Sequence, residues 1–83
     1  MFVLLHNKCV AKRGSYRADV RIGGDPGHTL GHAHIYRGSK NIASIPEKGE
    51  ILAGELDRGA RKFVNDYLPQ IIDGIRRYYY LGR

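Results

Sequence analysis

Between Ala60 and Ile75 the apolar residues recur at steps of three and four: Ala60, Phe63, Val64, Tyr67, Leu68, Ile71, Ile72 and Ile75. That spacing puts all of them on one side of an α-helix and leaves Arg58, Arg61, Lys62, Arg76 and Arg77 on or beside the polar side. A helix with a single apolar stripe gains its stability by lying on another apolar surface. Asp57 is suited to cap it, because its carboxylate can accept an otherwise unpaired N–H of the first turn. Pro69 falls inside the pattern, where it removes an N–H and clashes with the Asn65 carbonyl, at a cost of about 3 kcal/mol in an undistorted helix. The stripe keeps its phase across Pro69, which predicts a helix kinked near Pro69, or two helices end to end, rather than a reversal of the chain.

The surface for this helix lies upstream. Tyr16 to Ile22 alternates strictly, with Tyr16, Ala18, Val20 and Ile22 toward a core and Arg17, Asp19 and Arg21 outward on a solvated, partly basic face. Phe2 to Val10 is apolar and β-favouring and reads as a first strand, with His6 packed within it, and Lys12-Arg13-Gly14-Ser15 reads as the turn that follows. A strand from His32 to Arg37, a connection Gly38-Ser39-Lys40-Asn41 and a return strand Ile42 to Ile45, ended by Pro46, complete the pattern. Glu47-Lys48-Gly49 turns the chain, and Glu50 to Leu56 leads into the helix. The fold class is therefore α+β: an antiparallel sheet of about four strands packed on one C-terminal helix. The tail Tyr78-Tyr79-Tyr80 adds to the core or orders against it. At 83 residues the chain makes one domain, residues 1–83, with no internal repeat or linker.

Fourteen Lys and Arg against eight Asp and Glu leave a net charge of +6, which favours polyanions by steering and counterion release, so nucleic acid is the first partner to consider. An acidic protein surface is the alternative. The single cysteine, Cys9, has no intramolecular partner for a disulfide and reads as a small buried hydrophobe. No apolar run approaches the roughly 18 residues that span a membrane, and the start lacks the basic region of a signal peptide, so the cytoplasm is the expected location.

Chemistry concentrates in Gly31-His32-Ala33-His34-Ile35-Tyr36-Arg37-Gly38. On a strand, His32, His34 and Tyr36 share one face, with the two imidazoles about 7 Å apart along the backbone. The preceding loop, Gly23 to Gly31, is rich in glycine and delivers His28 close to the start of this strand. Three chemistries suit these residue types. His32 and His34 could hold a metal with His28 or Asp25 as third ligand, although nothing in the sequence requires those groups to converge, so neither a metal nor another cofactor is assigned. They could act as the acid and base of a metal-independent ribonuclease, with Arg37, Lys40 or Arg17 stabilising the phosphorane. Binding alone asks least: the same face, with Arg17, Arg21, His28, Tyr36, Arg37 and Lys40, would hold RNA or dock a partner protein. A stand-alone protein-binding inhibitor and a homodimer both remain open.

Three motifs in order, His32-Ala33-His34-Ile35-Tyr36-Arg37-Gly38, then Ala43-Ser44-Ile45, then Glu50-Ile51-Leu52-Ala53-Gly54-Glu55-Leu56 running into Arg58, Ala60, Arg61 and Val64, resemble the small, mainly bacterial family catalogued as domain of unknown function 4160. The resemblance spans His32 to about Tyr67. It departs at Gly31 and Asp57, where the family usually has proline, and at Tyr67, near which it often has tryptophan. It implies a two-component, toxin-antitoxin-like module with a cognate antitoxin-like protein as partner. Ile45-Pro46, Gly49-Glu50-Ile51 and Gly54-Glu55-Leu56, following His32 or His34, are more faintly similar to HicA-type ribonuclease toxins, whose leading helix this chain lacks. That similarity implies an RNA-related role.

Overall fold

The computed structural model describes residues 7–24, 30–49 and 56–81. Strands β1 (Asn7–Arg13), β2 (Tyr16–Arg21), β3 (His32–Arg37) and β4 (Lys40–Pro46) form one antiparallel sheet in the order β1-β2-β3-β4. Helix α1 (Arg58–Gly74) crosses one face and runs directly into a π-helical segment, Ile75–Tyr79. The α+β architecture expected from the pattern is the one observed.

Both hairpins close on Gly-Ser. Arg13 pairs with Tyr16 and Arg37 with Lys40, leaving Gly14-Ser15 and Gly38-Ser39 as the loops. Each glycine has a positive φ, 59° and 61°, and neither serine does; that combination matches the right-handed twist of the flanking strands. Lys12 and Arg13, expected in a turn, therefore extend β1, and Lys40 and Asn41, expected in a connection, begin β4. The first strand correspondingly reaches Arg13 instead of ending at Val10; residues 1–6, including His6, lie outside the described residues. The Gly38 N–H donates to the Ser15 carbonyl at 2.8 Å and ties the two hairpin ends together.

The core forms where the inward residues of the sheet meet the helix stripe. Ala18, Val20, Ala33, Ile35 and Ile45 from the sheet and Ala60, Phe63, Ile71 and Ile75 from the helical side are completely buried, each large aliphatic or aromatic group contributing about 1.5–3 kcal/mol. Two bulges adjust the fit. Val10 is the extra residue between Cys9 and Ala11, and it packs against Gly74, where a Cβ would stand 2.4 Å from Val10 Cγ1. Ile42 is the extra residue of β4 opposite the Ile35/Tyr36 step, and it packs on the core.

The structure departs from the sequence pattern at Cys9, Asp19, Ile22 and Pro69. Cys9 is exposed, because the bulge at Val10 turns it onto the face away from α1. Asp19 is only 8% exposed although its position is outward, since Arg17 holds its Oδ2 at 3.0 Å and His34 stands directly across the ladder. Ile22 is exposed at 36% because β2 ends at Arg21 and the chain turns away. Two helices meeting at Pro69 are not observed: α1 passes through Pro69 unbroken, with Pro69 and Asn65 both on its exposed side. The irregularity comes later, at Ile75–Tyr79, where Tyr79 is fully buried. Among the described residues no helix is long and apolar enough to cross a membrane.

Candidate nucleic-acid interface

Strand β3 alternates between two environments. Ala33 and Ile35 point into the core, so His32, His34 and Tyr36 lie half-buried on the opposite face of the sheet. The antiparallel register puts Arg17 opposite Tyr36 and Asp19 opposite His34, and alternation along β2 adds Arg21 to the same face. On the other side of β3, Asn41 pairs with Tyr36 and Ser44 with His34.

The start of this strand is held by the C-terminal segment. The Gly31 N–H donates to the Tyr80 hydroxyl at 2.8 Å, and that hydroxyl donates to Glu47 Oε1 at 2.9 Å. Glu47 returns its own N–H to the Gly31 carbonyl at 3.2 Å and pairs with Arg76 at 3.3 Å. Burial, with the adjacent Glu47 carboxylate, pushes the Tyr80 phenol pKa up against the opposing pull of the Gly31 N–H.

Rings line the face from one end to the other. Arg17 lies over Tyr36, 4.6 Å from its centroid. Tyr36 is 6.5 Å from His34, His34 is 4.9 Å from His32 in an edge-to-face contact, and His32 is 5.1 Å from Tyr79. The imidazoles thus lean together, closer than their backbone spacing suggests. His32 Nδ1 lies 3.1 Å from the Leu30 carbonyl; His34 Nδ1 lies 3.2 Å from Asn41 Nδ2 and 3.4 Å from Ser44 Oγ. Asp19 Oδ1 is buried without a hydrogen-bond partner among the described residues, so this row also contains an acceptor with spare capacity.

Arg37 and Lys40 are placed elsewhere. They line a cleft at the end of the second hairpin with Asn41, Ile42, Leu56 and Asp57, beside the start of α1. Arg37 pairs there with Asp57 Oδ2 at 2.5 Å, while Asp57 Oδ1 accepts the Ala60 N–H at 2.7 Å and the Tyr16 hydroxyl at 2.9 Å. These donors, the Ala60 N–H first, hold the Asp57 carboxyl below its ordinary pKa, and the Asp57 carboxylate in turn raises the Tyr16 phenol. Arg37 therefore has a structural tie that the sequence did not suggest. Asn41 borders both the cleft and His34.

Of the residues singled out from the sequence, His32, His34, Tyr36, Arg17 and Arg21 are brought to one face, and Arg37 and Lys40 to the adjoining cleft. His28 and Asp25 lie outside the described residues. Among the described residues no group of three or more His, Cys, Asp or Glu side chains is placed to hold a metal ion. Sequence reasoning missed Asn41, Ser44, Tyr79 and the Leu30 carbonyl. A two-residue hairpin loop would have found Asn41 opposite Tyr36; Ser44 opposite His34 depends on the bulge at Ile42. No protein-family model, curated protein or solved structure matches the chain.

Proposed function

We propose that this protein binds single-stranded RNA on the His32/His34 face of its sheet, the bases stacking on Tyr36, His34 and His32 and the phosphates meeting Arg17, Arg21 and, past the hairpin, Lys40. The observation that carries this reading is the continuous row of rings on β3 with the Arg17 guanidinium laid over its first member. Aromatic faces accept any base, and a net charge of +6 supplies the attraction for the backbone. In the two-component arrangement that the family resemblance implies, the chain is then the RNA-binding member, with its antitoxin-like partner competing for or covering the same face.

Anisotropy titration of labelled single-stranded RNA against the wild type, Tyr36→Ala and the His32→Ala/His34→Ala double variant tests this. Each lost stacking ring should weaken binding by about 1–3 kcal/mol, and affinity should fall steeply with salt. Equal affinity in all three folded proteins, or no binding by the wild type at low salt, defeats the reading. A metal-independent ribonuclease is the second reading, favoured by the 4.9 Å separation of His32 and His34. The same RNA, inspected for cleavage with and without the double variant, decides it.

A further inference from the structure

Among the described residues, the large apolar side chains left exposed are Ile22, Leu30, Tyr80 and Leu81. Leu30, 76% exposed, and Tyr80 line one groove of about 410 Å³ ahead of β3, together with Gly31 and Pro46, and Leu81 follows Tyr80 in the chain. The charged members of the lining are Glu47, Lys48 and Arg76. The groove is tied from within. The Tyr80 hydroxyl bridges the Gly31 N–H and Glu47 Oε1, and the Gly49 N–H donates to the Pro46 carbonyl at 2.9 Å, closing the turn that carries Lys48. A groove fixed in this way costs a ligand little ordering.

Exposed apolar groups collected in a concavity with charged groups around them have the form of a docking site for a protein side chain. The charges select the partner. Glu47 is engaged by the Tyr80 hydroxyl and by Arg76, which is itself 66% exposed, while Lys48 has no ion pair among the described residues. Two cations against one engaged carboxylate leave the groove positive, in a chain of net charge +6. A second copy would therefore bring like charges together there, and an acidic partner opposite ones. We propose that the groove docks an acidic segment of a partner protein: one leucine-sized side chain packs against Leu30 and Tyr80, and the carboxylates beside it meet Lys48 and Arg76. This site is separate from the row of rings and does not rest on RNA binding. It adjoins that row, since the Tyr80 ring is 5.3 Å from Tyr79 and Tyr79 is 5.1 Å from His32.

The test titrates a labelled peptide of alternating leucine and aspartate against the wild type, Leu30→Ala, Lys48→Glu and Tyr36→Ala, with affinity read by anisotropy and folding by circular dichroism. Amide shifts of the isotope-labelled wild type locate the peptide. Leu30 and Lys48 are exposed, so their variants should keep the fold. Binding should weaken about fivefold or more in Leu30→Ala and in Lys48→Glu, the loss of a contributing interface side chain, and should be unchanged in Tyr36→Ala, with shifts gathered at Leu30, Gly31, Lys48 and Tyr80. Asparagine in place of the peptide's aspartates should erase the difference between the wild type and Lys48→Glu. No binding by the wild type, or affinity unchanged in both groove variants, overturns the proposal. Shifts at the same residues that grow with protein concentration in the absence of peptide give the groove to a second copy and overturn it as well. A loss in Tyr36→Ala equal to that in Leu30→Ala moves the peptide to the row of rings, with the same consequence. Failure of RNA binding alters none of these outcomes.

Discussion

Tyr80 takes the Gly31 N–H across 49 residues of sequence, at 2.8 Å, while the Glu47 N–H holds the Gly31 carbonyl, so the residue before the histidine strand is tied on both sides. Gly31 has no room for a side chain: a Cβ there would stand 2.6 Å from both Ile75 Cγ2 and the Tyr80 hydroxyl oxygen. Gly31→Ala should therefore destabilise the protein by about 1–3 kcal/mol through overpacking. Tyr80→Phe, which removes the hydroxyl alone, should cost about 1 kcal/mol. Urea unfolding measures both, and a Gly31→Ala protein as stable as the wild type would mean that the end of the helix yields.

Arg17 touches Tyr36 through the flat of its guanidinium and Asp19 through Nε. Arg17→Lys keeps the charge and loses the planar stack on Tyr36, so stability should fall by about 0.5–1 kcal/mol, the worth of an exposed cation–π contact, with the salt dependence of RNA binding unchanged. Arg17→Ala should lower the slope of log affinity against log salt by about one as well. Identical slopes for wild type and Arg17→Ala would remove Arg17 from the phosphate contacts.

Asp57 and Tyr16 set two limits on stability against pH. The Asp57 carboxyl is held below its ordinary 3.8, so its contribution is fully present above that value and is lost as pH falls through the lower folded-state value. The Tyr16 phenol is raised above its ordinary 10.0, so its contribution is present below pH 10.0 and is lost as pH rises through the higher folded-state value. Thermal melts from pH 2 to 12 should show both losses. Tyr16→Phe should flatten the alkaline limb, to which Tyr80 also contributes, and Asp57→Asn should flatten the acid one. Unaltered limbs in these variants would assign the losses to other groups.

Pro69 sits within α1 on an exposed turn. Pro69→Ala restores an N–H to the Asn65 carbonyl and should raise stability by about 1–3 kcal/mol, read as a higher melting temperature. A lower one would mean that the distortion at Pro69 is needed to bring Ile71 and Ile75 onto the sheet.

The parts of this molecule governed by local periodicity were legible in the chain. The stripe from Ala60 to Ile75, the alternation from Tyr16 to Arg21 and the capping Asp57 follow from nearest-neighbour geometry, and so does the shared face of His32, His34 and Tyr36. What was not legible depends on insertions into the ladder and on contacts from distant residues. A regular ladder counted back from the Gly38-Ser39 loop would set His34 against Ala43; the bulge at Ile42 substitutes Ser44. The exposure of Cys9 has the same origin at Val10. Arg37 looked like a site residue because its partner, Asp57, is 20 positions away, and the role of Tyr80 required knowing that the C-terminal segment packs beside Gly31.

The bulges lie in β1 and β4, the two border strands of the sheet. At each border the regular spacing of hydrogen-bonding groups is interrupted once, and Lys8, Lys12 and Lys40 place charges along the same margins. A straight strand from another molecule cannot match such a margin over its full length. The same irregularity that seats Val10 and Ile42 against the helix thus works against edge-to-edge pairing with a second sheet.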